Sequence, residues 1–330
     1  MRYVITGTAG FIGFHLALSY LKEGAEVVGI DSFTPYYPLV LKQKRHEILK
    51  EYSGFIEEKL DLCDLEGLEK CFRTYSPQTI CHLAAQPGIR YSMIDPFSYQ
   101  KSNLEAFINL FEMARKFSVK RFVYASSSSV YGNVKEVPYK ETQNVDTPIS
   151  LYAATKRANE LLAYTYQHLY AIQTIGLRFF TVYGPWGRPD MAIWKFTDAI
   201  TTGKEIEVFN HGNNFRDFTY IDDIVAGIRA ALTKDNLSLY EIFNLGNSQS
   251  ENVMKLLDIL EKATKCKAKI RMVPLQPGDM VTTFADIENA KEKLGYCPKT
   301  SLEKGIEKFV AWYQGNEHLV QRVREIGCLG

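Results

Sequence analysis

The sequence has no charge excess, no paired cysteines and no long apolar run. Thirty-nine basic residues face thirty-eight acidic ones, leaving a formal net charge of +1 with no long run of either sign. That balance argues against a duplex nucleic-acid surface or an anionic lipid patch, and a small molecule is the expected partner. The six cysteines, at 63, 71, 81, 266, 297 and 328, are scattered without a C-x-x-C pair. This speaks against both a thiolate zinc site and a secreted disulfide framework. The six histidines, at 15, 46, 82, 168, 211 and 318, show no ligand spacing, so no metal is expected. His82, on an apolar strand, reads as a hydrogen-bonded core residue. Nowhere do about 18 apolar residues follow one another. The first apolar segment, YVITGTAGFIGFHLALSYL, is broken by glycines and lacks a signal-peptide layout. A soluble, cytoplasmic protein with reduced thiols is expected.

What the chain does have is rhythm. Short apolar runs alternate with longer amphipathic ones: YVIT (3 to 6), a helix over 11 to 22, EVVGI (26 to 30), FIEEKL (55 to 60) and a helix near 65 to 75. The pattern continues with TICHL (79 to 83), a helix over 98 to 117, RFVYAS (121 to 126), a helix over 151 to 169 and IQTIGLRFF (172 to 180). Repeated strand then helix implies right-handed crossovers and a parallel sheet covered on both faces. The expected class is α/β: a Rossmann-type doubly wound sheet over 1 to 180, with a smaller C-terminal lobe over 181 to 330. After 180 the rhythm becomes irregular, with a short VFN strand near 208 and helices around 251 to 264 and 301 to 314. The segment 219 to 245 looks like a further helix and strand returning to the first domain.

The stretch TGTAGFIG (6 to 13) follows the first strand and opens a helix, with Gly7, Gly10 and Gly13 spaced by three and Phe11 and Ile12 between the last two. Glycines there permit a tight turn and close backbone approach, and the helix N-terminus offers free N–H groups to a pyrophosphate. The second strand ends in Asp31, followed by Ser32; Asp31 lies 18 residues beyond Gly13. A carboxylate there accepts bonds from the adenosine ribose hydroxyls and repels a 2′-phosphate, which favours NAD over NADP. The TGxxGxxG spacing resembles that of the extended short-chain dehydrogenase/reductases.

YAATK (152 to 156) lies near the start of a helix, so Tyr152 and Lys156 share a face and the ammonium is expected beside the phenol. A cation there, with an oxidised nicotinamide ring, favours a phenolate able to take a proton from a substrate hydroxyl. The strand RFVYA should deliver the serines 126 to 129 to the same crevice. Ser127 is then the candidate to bond the reacting oxygen.

Together YASSSSVYG (124 to 132), SLYAATKRANE (150 to 160), GLRFFTVYGPWGRPDMA (176 to 192), FNHG (209 to 212) and RDFTYIDDI (216 to 224) resemble the UDP-glucuronate 4-epimerases. The likeness runs to about residue 314, and GPWGRPDM is its most specific piece. It implies C4 epimerisation of UDP-glucuronate to UDP-galacturonate through a 4-keto intermediate, with transient hydride transfer to bound NAD. By the same likeness Leu83, Ala84, Ala85, Gln86 and Asn103 line the NAD channel, and Asp61 and Leu62 flank the adenine. Ser126 is expected to turn the strand beside the cofactor. Met191, Phe209, Arg216 and Asp279 hold the uridine diphosphate, with a surface ion pair to Asp217 as the other reading of Arg216. Ser128, Ser129, Thr181 and Arg188 are the candidates for the sugar carboxylate, Arg188 either in contact or balancing charge from nearby. Thr181 in RFFTVYG and Gln276 in LQPGD stand where the wider nucleotide-sugar epimerases commonly have Asn and Arg. Serines also occupy the strand-end places where related decarboxylases and dehydratases carry an acid. The likeness further implies a homodimer through the helices 98 to 117 and 151 to 169. A UDP-glucuronate decarboxylase, a UDP-hexose 4-epimerase and a non-catalytic dinucleotide sensor are the alternatives.

Overall fold

In the computed structural model, which describes residues 2–276 and 278–328, twelve strands follow the chain in order. They are β1 (Arg2–Thr6), β2 (Glu26–Asp31), β3 (Phe55–Lys59), β4 (Thr79–His82), β5 (Arg121–Ser127) and β6 (Gln173–Phe179). Then come β7 (Thr181–Tyr183), β8 (Glu205–Val208), β9 (Phe215–Tyr220), β10 (Tyr240–Leu245), β11 (Ser250–Asn252) and β12 (Lys269–Met272). Seven of them form one parallel sheet in the order β3-β2-β1-β4-β5-β6-β10. The order reverses between β1 and β4, which opens a crevice at the carboxyl ends of the strands.

Strands in such a sheet are buried on both faces, so their alternate side chains supply two cores. Ile5 and Val123 pack to one side with Phe14, Leu41 and Ile228, from helices Phe11–Leu21, Leu39–Lys50 and Ile221–Thr233. Val4, Phe122 and Tyr124 pack to the other with Leu68, Phe111 and Ala163, from helices Leu65–Tyr75, Ala106–Lys116 and Leu151–Tyr170. The β10 strand pairs with β6 from Tyr240↔Thr174 to Leu245↔Phe179, so the chain returns to the first sheet as its spacing suggested.

The remaining strands make two small sheets, β11-β9-β7 and β12-β8, packed with helices Ala192–Thr202, Val253–Thr264 and Leu302–Gly315. Trp194 contacts Phe309 and Trp312 with ring centroids 6.1 and 5.4 Å apart, joining the first and last of these helices.

Several elements depart from expectation. The expected helix over 98 to 117 is a short helix Pro96–Tyr99, a π-helical stretch Gln100–Glu105 and a regular helix Ala106–Lys116. Around that stretch, Asn103 bonds both backbone groups of Gln86, and its own carbonyl accepts from Asn159 Nδ2 at 2.6 Å. Helix Leu39–Lys50 is absent from the sequence reading. It buries Lys42, Arg45 and His46 beside Leu41 and Leu49, so polar and charged residues occupy core positions and blur the apolar period. Helices Ala192–Thr202 and Glu317–Ile326 were also not expected.

Candidate active site

A cavity of about 570 Å³ runs along the carboxyl ends of the large sheet and under the smaller sheets. Every expected site residue except Asn103 lines it.

Its floor is set by the glycine turn. Gly7 has φ +80°, and a Cβ on it would sit 2.8 Å from the Ala84 nitrogen; a Cβ on Gly13 would sit 2.1 Å from the Gly7 oxygen. Only glycine lets the helix and β4 approach this closely. Gly10 caps the helix Phe11–Leu21 without a side-chain acceptor, so the first-turn N–H groups are left for an anion. Asp31 is pinned by Ala9 N to Oδ2 (3.0 Å) and Phe33 N to Oδ1 (2.8 Å). Each carboxylate oxygen keeps a lone pair for a ribose hydroxyl. This cradle fits the adenosine half of a dinucleotide.

The opposite wall, Leu83 to Gln86, is held from behind. Thr6 Oγ1 accepts from Leu83 N and Ala84 N at 3.2 and 3.1 Å, so its proton goes to Nδ1 of His82, 2.8 Å away. Burial, with Lys156 nearby, pushes His82 down to about 3, which keeps it the neutral core residue expected of it. Asn103 acts on this wall and does not line the cavity: Oδ1 accepts from Gln86 N (2.8 Å), while Nδ2 donates to Gln86 O (3.1 Å) and Thr155 Oγ1 (3.0 Å). At the end expected for the adenine, Asp61 pairs with Lys101 at 3.1 Å and accepts from Cys63 N.

Ser150 caps the helix Leu151–Tyr170 by accepting from Ala153 N at 3.1 Å, which sets Tyr152 in its first turn at the cavity. Burial raises the Tyr152 phenol, while a hydrogen bond with Ser127 and the charge of Arg188 pull it back. The expected juxtaposition of ammonium and phenol takes a different form. Lys156 is 3% exposed, and its Nζ donates to the Ala125 carbonyl at 3.0 Å. Burial pushes it down to about 8. The shared helix face brings both groups to the cavity, but the long lysine stem reaches β5, where a carbonyl at the strand end captures the ammonium.

The four serines separate cleanly. Ser126 does not turn the strand: β5 runs on to Ser127, and the Ser126 hydroxyl donates to Glu160 Oε1 at 2.7 Å. Glu160 is fully buried and forked by Arg178 at 2.8 and 2.9 Å. Ser127 lines the cavity with Tyr152, helps to hold that phenol's pKa down, and accepts from Ser129 N at 3.2 Å. The hydroxyls of Ser128 and Ser129, and that of Thr181 at the start of β7, line the cavity. None of these three has a hydrogen-bond partner among the described residues.

Arg188 is neither solvent-facing nor unpaired. Its guanidinium forks onto Asp190, with Nε at 3.0 Å from Oδ1 and a second short contact to Oδ2. Tyr36 donates to the same carboxylate at 3.1 Å. The pair holds Asp190 below the usual carboxylate range. The loop carrying it is tied to the glycine turn by Arg45, wholly buried, which donates to Ala9 O (2.9 Å), Trp186 O (2.6 Å) and Tyr37 Oη (2.7 Å).

At the far end Asp279 lies 3.7 Å from Arg216 and 4.0 Å from Arg90, whose guanidinium sits 4.8 Å over the Phe209 ring. Met191 leads into the helix Ala192–Thr202 beside them. Arg216 does not pair with Asp217, whose oxygens accept from Asn247 N, Ala285 N and Thr219 Oγ1. Tyr36, Lys42, Arg45, Arg90 and Asp190 went unnoticed in the sequence. The usable signal for two of them was charge at core spacing, Lys42 and Arg45 between Leu41 and Leu49.

The protein family described as "NAD dependent epimerase/dehydratase family" matches residues 3–246. A probable UDP-glucuronate 4-epimerase of Rhizobium meliloti is 43% identical, covering 96% of this chain and 98% of its own. A UDP-glucuronate 4-epimerase of Arabidopsis thaliana is 45% identical over 94% of this chain and 74% of its own. Among solved structures, the Bacillus cereus UDP-glucuronic acid 4-epimerase in complex with UDP-glucuronic acid and NAD superposes with TM-score 0.90 at 34% identity, covering 96% of this chain and 99% of that one. On these matches, and on the glycine cradle and the Tyr152–Ser127 pair, the chain belongs to the NAD dependent epimerase/dehydratase family.

Proposed function

We propose that this chain is an NAD-dependent isomerase that interconverts UDP-glucuronate and UDP-galacturonate by inverting C4. The observation that carries the reading is the cluster at the end of β5: the Tyr152 phenol and Ser127 line one cavity together with three unpaired hydroxyls and with no acid from the strand end. NAD, when bound in the cradle of Gly7 to Gly13 and Asp31, supplies the reversible hydride acceptor. The chain's own residues do the rest.

Tyr152 takes the proton from the C4 hydroxyl, and Ser127 bonds the same oxygen so that it stays in line. The Arg188 charge favours the phenolate. With C4 oxidised, the sugar is a β-keto acid, which loses carbon dioxide if the bond from C5 to the carboxylate aligns with the carbonyl π system. Ser128, Ser129 and Thr181 hold the carboxylate out of that alignment by donating to it. Arg188 serves as a balancing charge, because its fork is already occupied by Asp190. The keto sugar turns over, and Tyr152 returns the proton when the other face is reduced. Met191, Phe209, Arg216 and Asp279 hold the nucleoside diphosphate throughout.

Two coarser expectations belong to the same reading. The first lobe, residues 1 to 180 with the returning segment 219 to 245, carries the cofactor, and the rest of 181 to 330 binds the UDP-sugar against Tyr152 and the serines, in a cytoplasmic enzyme. Two copies pair through the helices 98 to 117 and 151 to 169, whose outer face carries Ile108, Leu161 and Tyr164, the last two 53% exposed. Sedimentation at micromolar concentration would read out a dimer, and a monomer there would remove the pairing.

The test of function is incubation with UDP-glucuronate and no added NAD. A mixture of the two C4 epimers with full recovery of carboxylate is expected. Release of carbon dioxide with a UDP-pentose as sole product would overturn the reading.

A further inference from the structure

The helix Leu39–Lys50 presents two cations behind the glycine turn, and they differ in what they have left to give. Arg45 is fully buried, and its donors are spent on the carbonyls of Ala9, Trp186 and Gly187 and on Tyr37 Oη. Lys42 is 6% exposed and lines the cavity beside Asp31, Ser32 and Thr34. Its Nζ has one hydrogen bond, to Thr34 Oγ1 at 3.1 Å, and lies 4.9 Å over the Tyr37 ring. Among the described residues it has no ion pair. An ammonium has three donors, so two remain.

A buried cation without a paired charge is costly, and proteins keep one where a ligand completes it. Asp31, the acid that acts on Lys42 most strongly, already accepts two backbone N–H groups. What the surroundings lack is an anion, and the neighbouring uncapped helix N-terminus at Gly10 is poised for one as well.

We propose that Lys42 is a cofactor-anchoring residue whose ammonium, together with the first-turn N–H groups after Gly10, holds the phosphate-bearing adenosine half of the dinucleotide. The inference rests on the reading of the cavity as an NAD site. It also gives the residue a purpose in the reaction. An epimerase must reduce the keto sugar with the cofactor molecule that oxidised it, so a cofactor that escaped between the two half-reactions would leave a stranded product. A cation on the adenosine side, away from Tyr152, slows that escape without touching the reacting atoms.

The experiment compares the full-length wild type with Lys42→Met, which keeps the stem, and Lys42→Arg, which keeps the charge. NAD released per chain on denaturation is measured first. Protein stripped of cofactor is then titrated with NAD, and its thermal unfolding is followed. Lys42→Met should bind NAD about 10-fold or more weakly and be purified with little of it, while Lys42→Arg recovers most of the affinity. Raising the salt should weaken NAD binding more in the wild type than in Lys42→Met. If Lys42→Met holds NAD within two-fold of the wild type, the proposal is overturned, whether or not its stripped form melts earlier. A wild type that itself binds no NAD would overturn the functional reading along with it.

Discussion

The proposed cofactor half of the cavity and its proposed sugar half are built from different material. The first is mainly backbone: glycines at the end of β1, an uncapped helix and the successive strand ends at Asp31, Asp61 and Leu83. The second is mainly side chains from segments far apart in the chain, among them Ser127 to Ser129, Thr181, Arg188, Phe209, Arg216 and Asp279. A backbone cradle depends first on its glycines and on few side chains, here Asp31 and the proposed anchor Lys42. A side-chain site can be retuned one hydroxyl at a time, which is how one fold serves many sugars.

Substitutions can break this contrast or sharpen it. The largest effect is expected where the halves meet: Tyr152→Phe should lower turnover by roughly 10²- to 10⁴-fold, with NAD content unchanged. Turnover near that of the wild type would remove Tyr152 as the acid and base. Next is Gly13→Ala, whose added methyl would lie 2.1 Å from the Gly7 oxygen. It should cost about 1–3 kcal/mol of stability and empty the protein of NAD, as read by thermal melting and cofactor release. Removing one hydroxyl on the sugar side, with Ser128→Ala, Ser129→Ala or Thr181→Val, should leave NAD bound and shift preference from UDP-glucuronate toward UDP-glucose by about 10-fold. Competition between the two sugars measures this, and carbon dioxide release should rise in parallel.

A smaller effect concerns pH. Burial holds Lys156 at about 8 against an ordinary 10.5, so between those values the folded, cofactor-free chain sheds its proton while the unfolded chain keeps it. Stability should therefore rise with pH across that window by linkage. Lys156→Met lacks the effect, so the melting-temperature difference should move in the wild type's favour from pH 8 to 10. A constant difference would mean that Lys156 is not buried as a cation. The smallest change belongs to the exposed Asp61–Lys101 pair: Lys101→Ala should alter stability by less than about 1 kcal/mol, a benchmark against which the other losses are read.

The same contrast explains what could be read from the sequence. The sheet and the glycine turn are local patterns, written within a few residues each, and they emerged where the sequence placed them. What escaped was mostly set by tertiary partners. Helix Leu39–Lys50 hides because Lys42 and Arg45 face inward for reasons found in Trp186 and Ala9. The Asp190 partner of Arg188, two residues away, was in plain view, but nothing in sequence says that a loop will fold both into one fork. Ser126 read as part of a catalytic run, while its hydroxyl serves Glu160 on a helix 34 residues on. The Lys156 ammonium went to a carbonyl, a choice that helical spacing does not make.

The pairing of β10 with β6 carries a last consequence, for how such a protein can be taken apart. A fragment stopping after β6 would end with a long, apolar parallel strand stripped of its outer neighbour, its N–H and C=O groups bare along one side. Edges of that kind recruit strands from other chains. The sugar-binding region is therefore no cassette to be clipped off and exchanged at a single junction. An engineer grafting a new specificity must splice on both sides of Tyr240–Leu245 and leave that strand with the host.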